Sequence, residues 1–262
     1  MLIFDIVLIK VELCGVSLMD VTILIYFILF SLPFLIVFLP FILAWLKGAK
    51  KLRVAHEKYS RALQIMFRRL FNAEMASRII NPLECVYEAQ NSCRIRGKIW
   101  LVDRRAYFYY FAKLFRPIND IIFFSITTNY TPGLSLILVS REHGKLVEQA
   151  MAYMEQLDYV DLKGLEDYFI LTDNVGGLRH ILDEFTVREL MNMKKNFLYI
   201  IIDYTEPNVE FYVEVNEKNY ASLLPRAVML AKNIMERTKK ISPRKERIDT
   251  IKMLKRALKV RE

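Results

Sequence analysis

Phe197-Leu-Tyr-Ile-Ile-Ile-Asp-Tyr204 and Val209-Glu-Phe-Tyr-Val-Glu-Val215 are two strongly β-prone runs separated by Thr205-Glu-Pro-Asn208. In the second run Val209, Phe211, Val213 and Val215 alternate with Glu210, Tyr212 and Glu214, the period of a strand buried on one face and wet on the other. The residues between them are turn formers, so the pair reads as an antiparallel hairpin.

Working outward from that hairpin, Asp167 to Thr172 reads as a short strand followed by two short helices, with Thr186 and Glu189 as a capping box on the second. Glu142 to Met154 carries Leu146, Ala150 and Tyr153 at helical spacing. Strands are expected at 106–115, 120–128 and 134–140, with Tyr130-Thr-Pro-Gly133 turning between the last two. Further upstream, 83–89 and 93–102 alternate with period two and form a second hairpin. A three-residue loop, 90–92, matches their faces and sets Glu88 opposite Arg94 and Glu84 opposite Lys98. A closing helix runs from about Pro225 to Lys240, with Ser242-Pro243 ending the domain. Strands in runs, with helices between and after them and no βαβ rhythm, predict an α+β domain with a mostly antiparallel sheet.

The strand ending Leu171-Thr-Asp173, the apolar helix around Leu178 to Leu182, Thr186 and the closing hairpin together give 165–215 a resemblance. The segment resembles part of the soluble domain of uncharacterised, membrane-anchored prokaryotic proteins. That resemblance covers about a fifth of the chain and implies a fold but no activity.

Residues 47–80 contain no proline, and Leu52, Tyr59, Leu63, Met66, Leu70 and Ala73 recur at spacings of three, four and seven. They predict one long amphipathic helix packing on its own domain and ending at Asn81-Pro82. With His56 in the remaining position, the same stripe, 52–73, is a candidate parallel coiled coil and so a route to a homo-oligomer.

Before that helix comes Val21 to Leu46, 26 residues without a charge. As a helix they would measure about 39 Å, enough to cross a bilayer once with some tilt. A cleaved signal peptide is disfavoured by the length of the run, the lack of a basic flank before it and the lack of a small-residue cleavage site after it. A re-entrant hairpin is the structural alternative. Pro33 and Pro40 are expected to kink the helix. Residues 1–20 carry Asp5, Glu12 and Asp20 against Lys10, whereas the other flank has Lys47, Lys50, Lys51, Arg53, Lys58, Arg61, Arg68 and Arg69 against Glu57. That asymmetry predicts a cytoplasmic C-terminal domain, with Trp45, Lys47, Lys50 and Lys51 anchoring the span at the interface.

The chain of 262 residues is 54% hydrophobic and 26% charged, with a formal net charge of +9. Once Val21 to Leu46 is set aside, the rest has the composition of a globular chain, which excludes disordered, collagenous and disulfide-stapled classes. The division expected is an N-terminal tail at 1–20, a span at 21–46, a juxtamembrane helix at 47–80, an α+β domain at 81–241 and a basic tail at 242–262. Residues 239–262 hold ten Lys and Arg against Glu246, Asp249 and Glu262. In that tail Ile248, Ile251, Leu254 and Leu258 share a helical stripe flanked by Lys252, Lys255, Arg256 and Lys259, a pattern suited to an anionic lipid surface.

Cys14, Cys85 and Cys93 and the three histidines have no metal-ligand or redox spacing, so no cofactor or metal is expected. Four other features bear on chemistry. Thr172-Asp-Asn-Val-Gly-Gly-Leu-Arg179 lies between a strand and a helix but matches no phosphate-loop pattern, and reads first as a capped helix start. Arg104 to Arg116 interleaves basic and aromatic residues; a core strand with one exposed aromatic face leads, lipid contact follows, and nucleic acid comes third. Asp203, Glu206, Glu210 and Glu214 gather acid near the last hairpin, yet Glu210 and Glu214 would stand about 13 Å apart on one face, too far for an acid and base pair. Asn129-Tyr-Thr131 is a formal glycosylation sequon with Pro132 directly after it. No catalytic residues are assigned. The function expected is that of a single-pass membrane-anchored protein with a cytoplasmic interaction or scaffolding domain, the alternative being a membrane-tethered nucleic-acid binder.

Overall fold

A computed structural model describes residues 18–91, 93–106, 109, 112–113, 118–203 and 208–241. The chain divides into two compact units, one of 1–51 with 103–115 and one of 52–102 with 116–262. Helix α1 (Leu18–Phe71) contributes to both, its residues from Leu52 onward belonging to the second.

The second unit is α+β. Strands β1 (Glu74–Asn81), β2 (Glu84–Gln90), β3 (Arg94–Trp100), β4 (Asp120–Thr127), β5 (Leu136–Ser140), β6 (Asp158–Tyr159), β7 (Tyr168–Thr172), β8 (Phe197–Asp203) and β9 (Asn208–Val215) form one sheet in the order β1-β2-β3-β4-β9-β8-β5-β7-β6. Every neighbouring pair is antiparallel. The remaining helices are α2 (Gly144–Met151), α3 (Val175–Ile181), α4 (Glu184–Met193) and α5 (Tyr220–Thr238).

Alternation decides what each face buries. Cys85, Tyr87 and Ala89 of β2, Ile95 and Ile99 of β3, Ile122, Phe124 and Ile126 of β4, and the four inward residues of β9 enter one core with Leu52, Tyr59, Leu63 and Phe67 of α1 and Leu224, Val228 and Ile234 of α5. Tyr59, Leu63 and Phe67 are wholly buried, and each such side chain contributes roughly 1.5–3 kcal/mol by leaving water. The stripe expected on this helix is therefore consumed inside its own chain. A smaller core on the opposite face joins Ile137, Val139, Phe169 and Leu171 to Ala150 of α2.

Asp120, at the start of β4, ties α1 to the sheet. Its buried carboxylate accepts the Tyr59 hydroxyl at 2.8 Å and the Val102 N–H at 3.0 Å. A buried carboxyl so placed is tolerable because hydrogen-bond donors reach both of its oxygens.

Several expectations are corrected. The long helix stops at Phe71, not near 80: Asn72 takes a left-handed φ of 49° and, after Ala73, Glu74–Asn81 become β1. Asn81-Pro82 turns β1 into β2, with the Asn81 side chain accepting the Leu83 N–H at 2.8 Å. In the hairpin that follows, the faces are as expected but the pairing differs by two residues, Glu88 facing Arg96 and Glu84 facing Trp100. The expected ion pairs survive as diagonals, Glu88 with Arg94 and Glu84 with Lys98 at 3.6 Å, and Glu88 also meets Arg96 directly across at 3.4 Å. The strand expected at 106–115 does not form at its described residues, since Tyr109, Ala112 and Lys113 are helical. Asp183, not Thr186, caps α4, its carboxylate accepting the Thr186 N–H at 3.0 Å. α5 begins at Tyr220, which places Pro225 inside the helix.

α1 runs unbroken through Pro33 and Pro40. Side chains within the uncharged run are described only at 22–23, 26–27, 29–32 and 38–46. Among the described residues no helix is long and apolar enough to cross a membrane. The crossing expected of Val21 to Leu46 is therefore not established by the fold.

Candidate functional site

In the first unit, Trp45, Lys47, Lys50 and Lys51 are all exposed where the uncharged run gives way to charge. Gly48, one turn from Trp45, is buried because the backbone of Arg104 and Arg105 lies directly against it, and a Cβ there would collide with the Arg104 carbonyl. The Arg104 side chain is buried and its Nη1 donates to the Lys51 carbonyl at 3.4 Å. Arg105 forms a bidentate pair with Asp103, both contacts at 2.9 Å. That donation holds the Asp103 carboxyl below its usual range and raises Arg105 above its own. Lys113 is exposed and stands 5.9 Å from the centre of the Tyr109 ring. Both arginines at the start of the 104–116 strip are thus engaged within the chain, which removes them from any phosphate-reading surface.

The 172–179 turn is closed by its own side chains. Asp173 accepts the Ser135 N–H at 2.8 Å, Thr172 donates to the Ser135 carbonyl at 2.8 Å, and Asn174 accepts the Gly177 N–H at 2.9 Å. The Gly177 amide that an anion would need is occupied by the cap, and Asp173 opposes negative charge.

Glu210 and Glu214 lie on the outward side of β9, as the alternation requires. Glu214 accepts the Asn119 side-chain amide at 2.8 Å, which gives it a structural task. Glu206 lies outside the described residues, and Asp203 is buried. Cys85 and Cys93 are not joined in a disulfide; burial pushes Cys85 up in pKa despite a hydrogen bond with Ser60, the reverse of an activated nucleophile. Among the described residues no group of three His, Cys, Asp or Glu could hold a metal ion. Ile251, Lys252, Leu254, Lys255, Arg256, Leu258 and Lys259 of the tail lie outside the described residues.

Two features were not legible beforehand. On the outward face, Phe123 of β4, Tyr212 of β9 and Tyr199 of β8 are opposite one another in register. The Phe123 and Tyr212 rings meet at a tilt with centres 4.4 Å apart, Tyr212 and Tyr199 stack at 4.0 Å, and Trp100 lies 6.3 Å from both Phe123 and Tyr212. Each ring sits at an outward position of an alternating strand, but their alignment follows only from strand order. The other feature is the sheet edge β1, exposed along nearly its whole length.

No family model and no curated protein matches the chain. Among solved structures there is a weak likeness to the crystal structure of the mycobacterial trehalose monomycolate transport factor A, TtfA, at 7% identity and a TM-score of 0.34 over 67% of this chain and 75% of that one. A likeness of that size carries no argument about what this chain does.

Proposed function

We propose that the chain is a single-pass membrane-anchored protein whose α+β domain is a non-catalytic interaction module on the cytoplasmic side. One observation carries the reading. The uncharged run opens the helix Leu18–Phe71, whose later residues Leu52, Tyr59, Leu63 and Phe67 build the sheet's core. The helix also leaves large apolar side chains open, Phe30 at 82% exposure among them, a surface that water penalises and lipid does not. Trp45 and the exposed lysines after it suit the headgroup level. The alternative, a tethered nucleic-acid binder, is weakened by the engagement of Arg104 and Arg105 within the chain.

The tail is the proposed second membrane contact. Its apolar stripe is short, while each Lys or Arg near an anionic surface contributes about 1 kcal/mol, so charge must dominate. The fragment 47–262 is expected to bind anionic vesicles at low salt, to release as salt shortens the Debye length, and to ignore neutral vesicles. Replacing Lys252, Lys255, Arg256 and Lys259 with Gln should weaken that binding at least tenfold. Unchanged binding, or stronger salt-dependent binding to DNA or RNA than to vesicles, would contradict the reading.

A further inference from the structure

The cover over the inner face of the sheet thins along its edge strand: Met75 of β1 packs against the core, but the inward positions after it do not. The β1 residues opposite buried Tyr87 and Cys85 are Ser77 and Ile79, and both are exposed, Ile79 at 54%. α1 passes beside them without covering them. Between helix and edge strand lies a groove of about 660 Å³, floored by Ser77, Ile79 and Cys85, walled by Val54, Lys58, Arg61, Ala62 and Ile65 of α1, and closed at one end by Tyr220.

Three properties of this groove point to an extended peptide. β1 is the terminal strand of the order, so the N–H and C=O groups along its outer edge have no strand to pair with among the described residues. It is eight residues long, contains no proline, exposes Ile79 and Ile80, and pairs regularly with β2 from Glu74 to Ile79 before a single irregularity between Ile79 and Asn81. Its neighbouring groove offers apolar side chains, with Ile65 at 59% exposure, to the alternate residues of an added strand.

Charge selects the occupant. Lys58 and Arg61 face the groove, and among the described residues neither has an ion-pair partner. Glu57 is the one acid lining the groove and the one acid of α1 beyond the run, where Arg53, Arg68 and Arg69 add further positive charge, and β1 adds Arg78 against Glu74. A second copy of this chain would bring the same basic helix against itself and be repelled. We propose that the groove between α1 and β1 binds an extended, acidic segment of a partner protein, which adds to β1 as a tenth strand, seats its apolar residues on Ile65 and Ile79 and pairs its carboxylates with Lys58 and Arg61.

The inference names the partner class of the interaction module proposed above, and its test is independent of the anchor. The full chain in neutral detergent micelles is titrated into fluorescein-labelled nonapeptides that alternate Glu with Val, Ile or Phe, and anisotropy is read. Matched peptides carry Lys for Glu, and a third set carries the acidic sequences N-methylated at alternate amides. The acidic peptides are expected to bind, the lysine peptides not, and N-methylation should cost at least tenfold because a strand loses its edge bonds. Lys58→Glu with Arg61→Glu, both at exposed positions, should weaken the acidic peptides at least tenfold while leaving the thermal melt unchanged. No binding by any acidic peptide, equal binding of acidic and basic sets, or indifference to N-methylation would overturn the proposal. A concentration-dependent dimer abolished by Ile79→Glu would assign the groove to a second copy and overturn it as well. Loss of peptide binding with vesicle binding intact would leave the membrane reading standing.

Discussion

Gly97→Val is expected to leave the α+β unit unfolded, and Gly97→Ala to lower its stability by about 3 kcal/mol. Glycine in a strand interior is unfavourable on its own account, so its presence at Gly97 has a local cause. Gly97 stands opposite Tyr87 and Phe124 in neighbouring strands, and the Tyr87 ring lies over it so closely that a Cβ would overlap the phenol and the Phe123 carbonyl. That lack of a side chain lets the Tyr87 hydroxyl donate to the Phe123 carbonyl at 2.7 Å while the ring packs 5.8 Å from Phe67 of α1. Burial raises the phenol well above its usual pKa, so it stays a donor across any working pH. Overpacking costs about 1–3 kcal/mol and an unsatisfied buried hydroxyl about as much again. Urea unfolding of the full chain in micelles, followed by Trp100 fluorescence, measures the loss. Tyr87→Leu should cost less in the Gly97→Ala background than in wild type, because the two residues occupy one space. Equal costs in both backgrounds would refute the coupling.

The second large effect is expected from the uncharged run. Phe30→Arg with Leu32→Arg places two charges near its middle, at positions exposed in the structure, so no internal packing is lost. Each arginine at the centre of a span costs roughly 2.5–3.5 kcal/mol on insertion scales, and two together shift the partition by several orders of magnitude. The wild-type chain should remain in the membrane pellet through an alkaline carbonate wash, and the double variant should not. Retention of the variant would mean that something other than Val21 to Leu46 holds the chain.

Parity was easier to read from the residues than register. In β2 and β3 the alternation of Cys85, Tyr87, Ile95 and Ile99 determines which side chains point inward, and a shift of two residues preserves that set, so the true pairing of Glu88 with Arg96 was not distinguishable from that with Arg94. The β8–β9 hairpin was legible because its turn residues bound both strands. Helical spacing overruns the end of α1 because Ala73 continues it by coincidence, while the one local stop signal, an asparagine able to adopt a left-handed φ, stands alone at Asn72. Thr186 with Glu189 matches a capping box by spacing, but α4 begins three residues earlier, where the Asp183 carboxylate takes the Thr186 N–H. β6, at two residues, is too short to leave a period. The groove beside β1 was not legible at all: which strand ends at the sheet edge is a property of the whole topology, and nothing in Glu74 to Asn81 records it.

Spheroplasts of a bacterial host expressing the full chain with a C-terminal epitope are treated with protease, before and after permeabilisation. The account predicts that the epitope and the domain from residue 47 onward survive intact spheroplasts and are cut only once the membrane is opened. Digestion of intact spheroplasts to a short membrane stub would contradict it, because the basic flank from Lys47 to Arg69 would then lie outside.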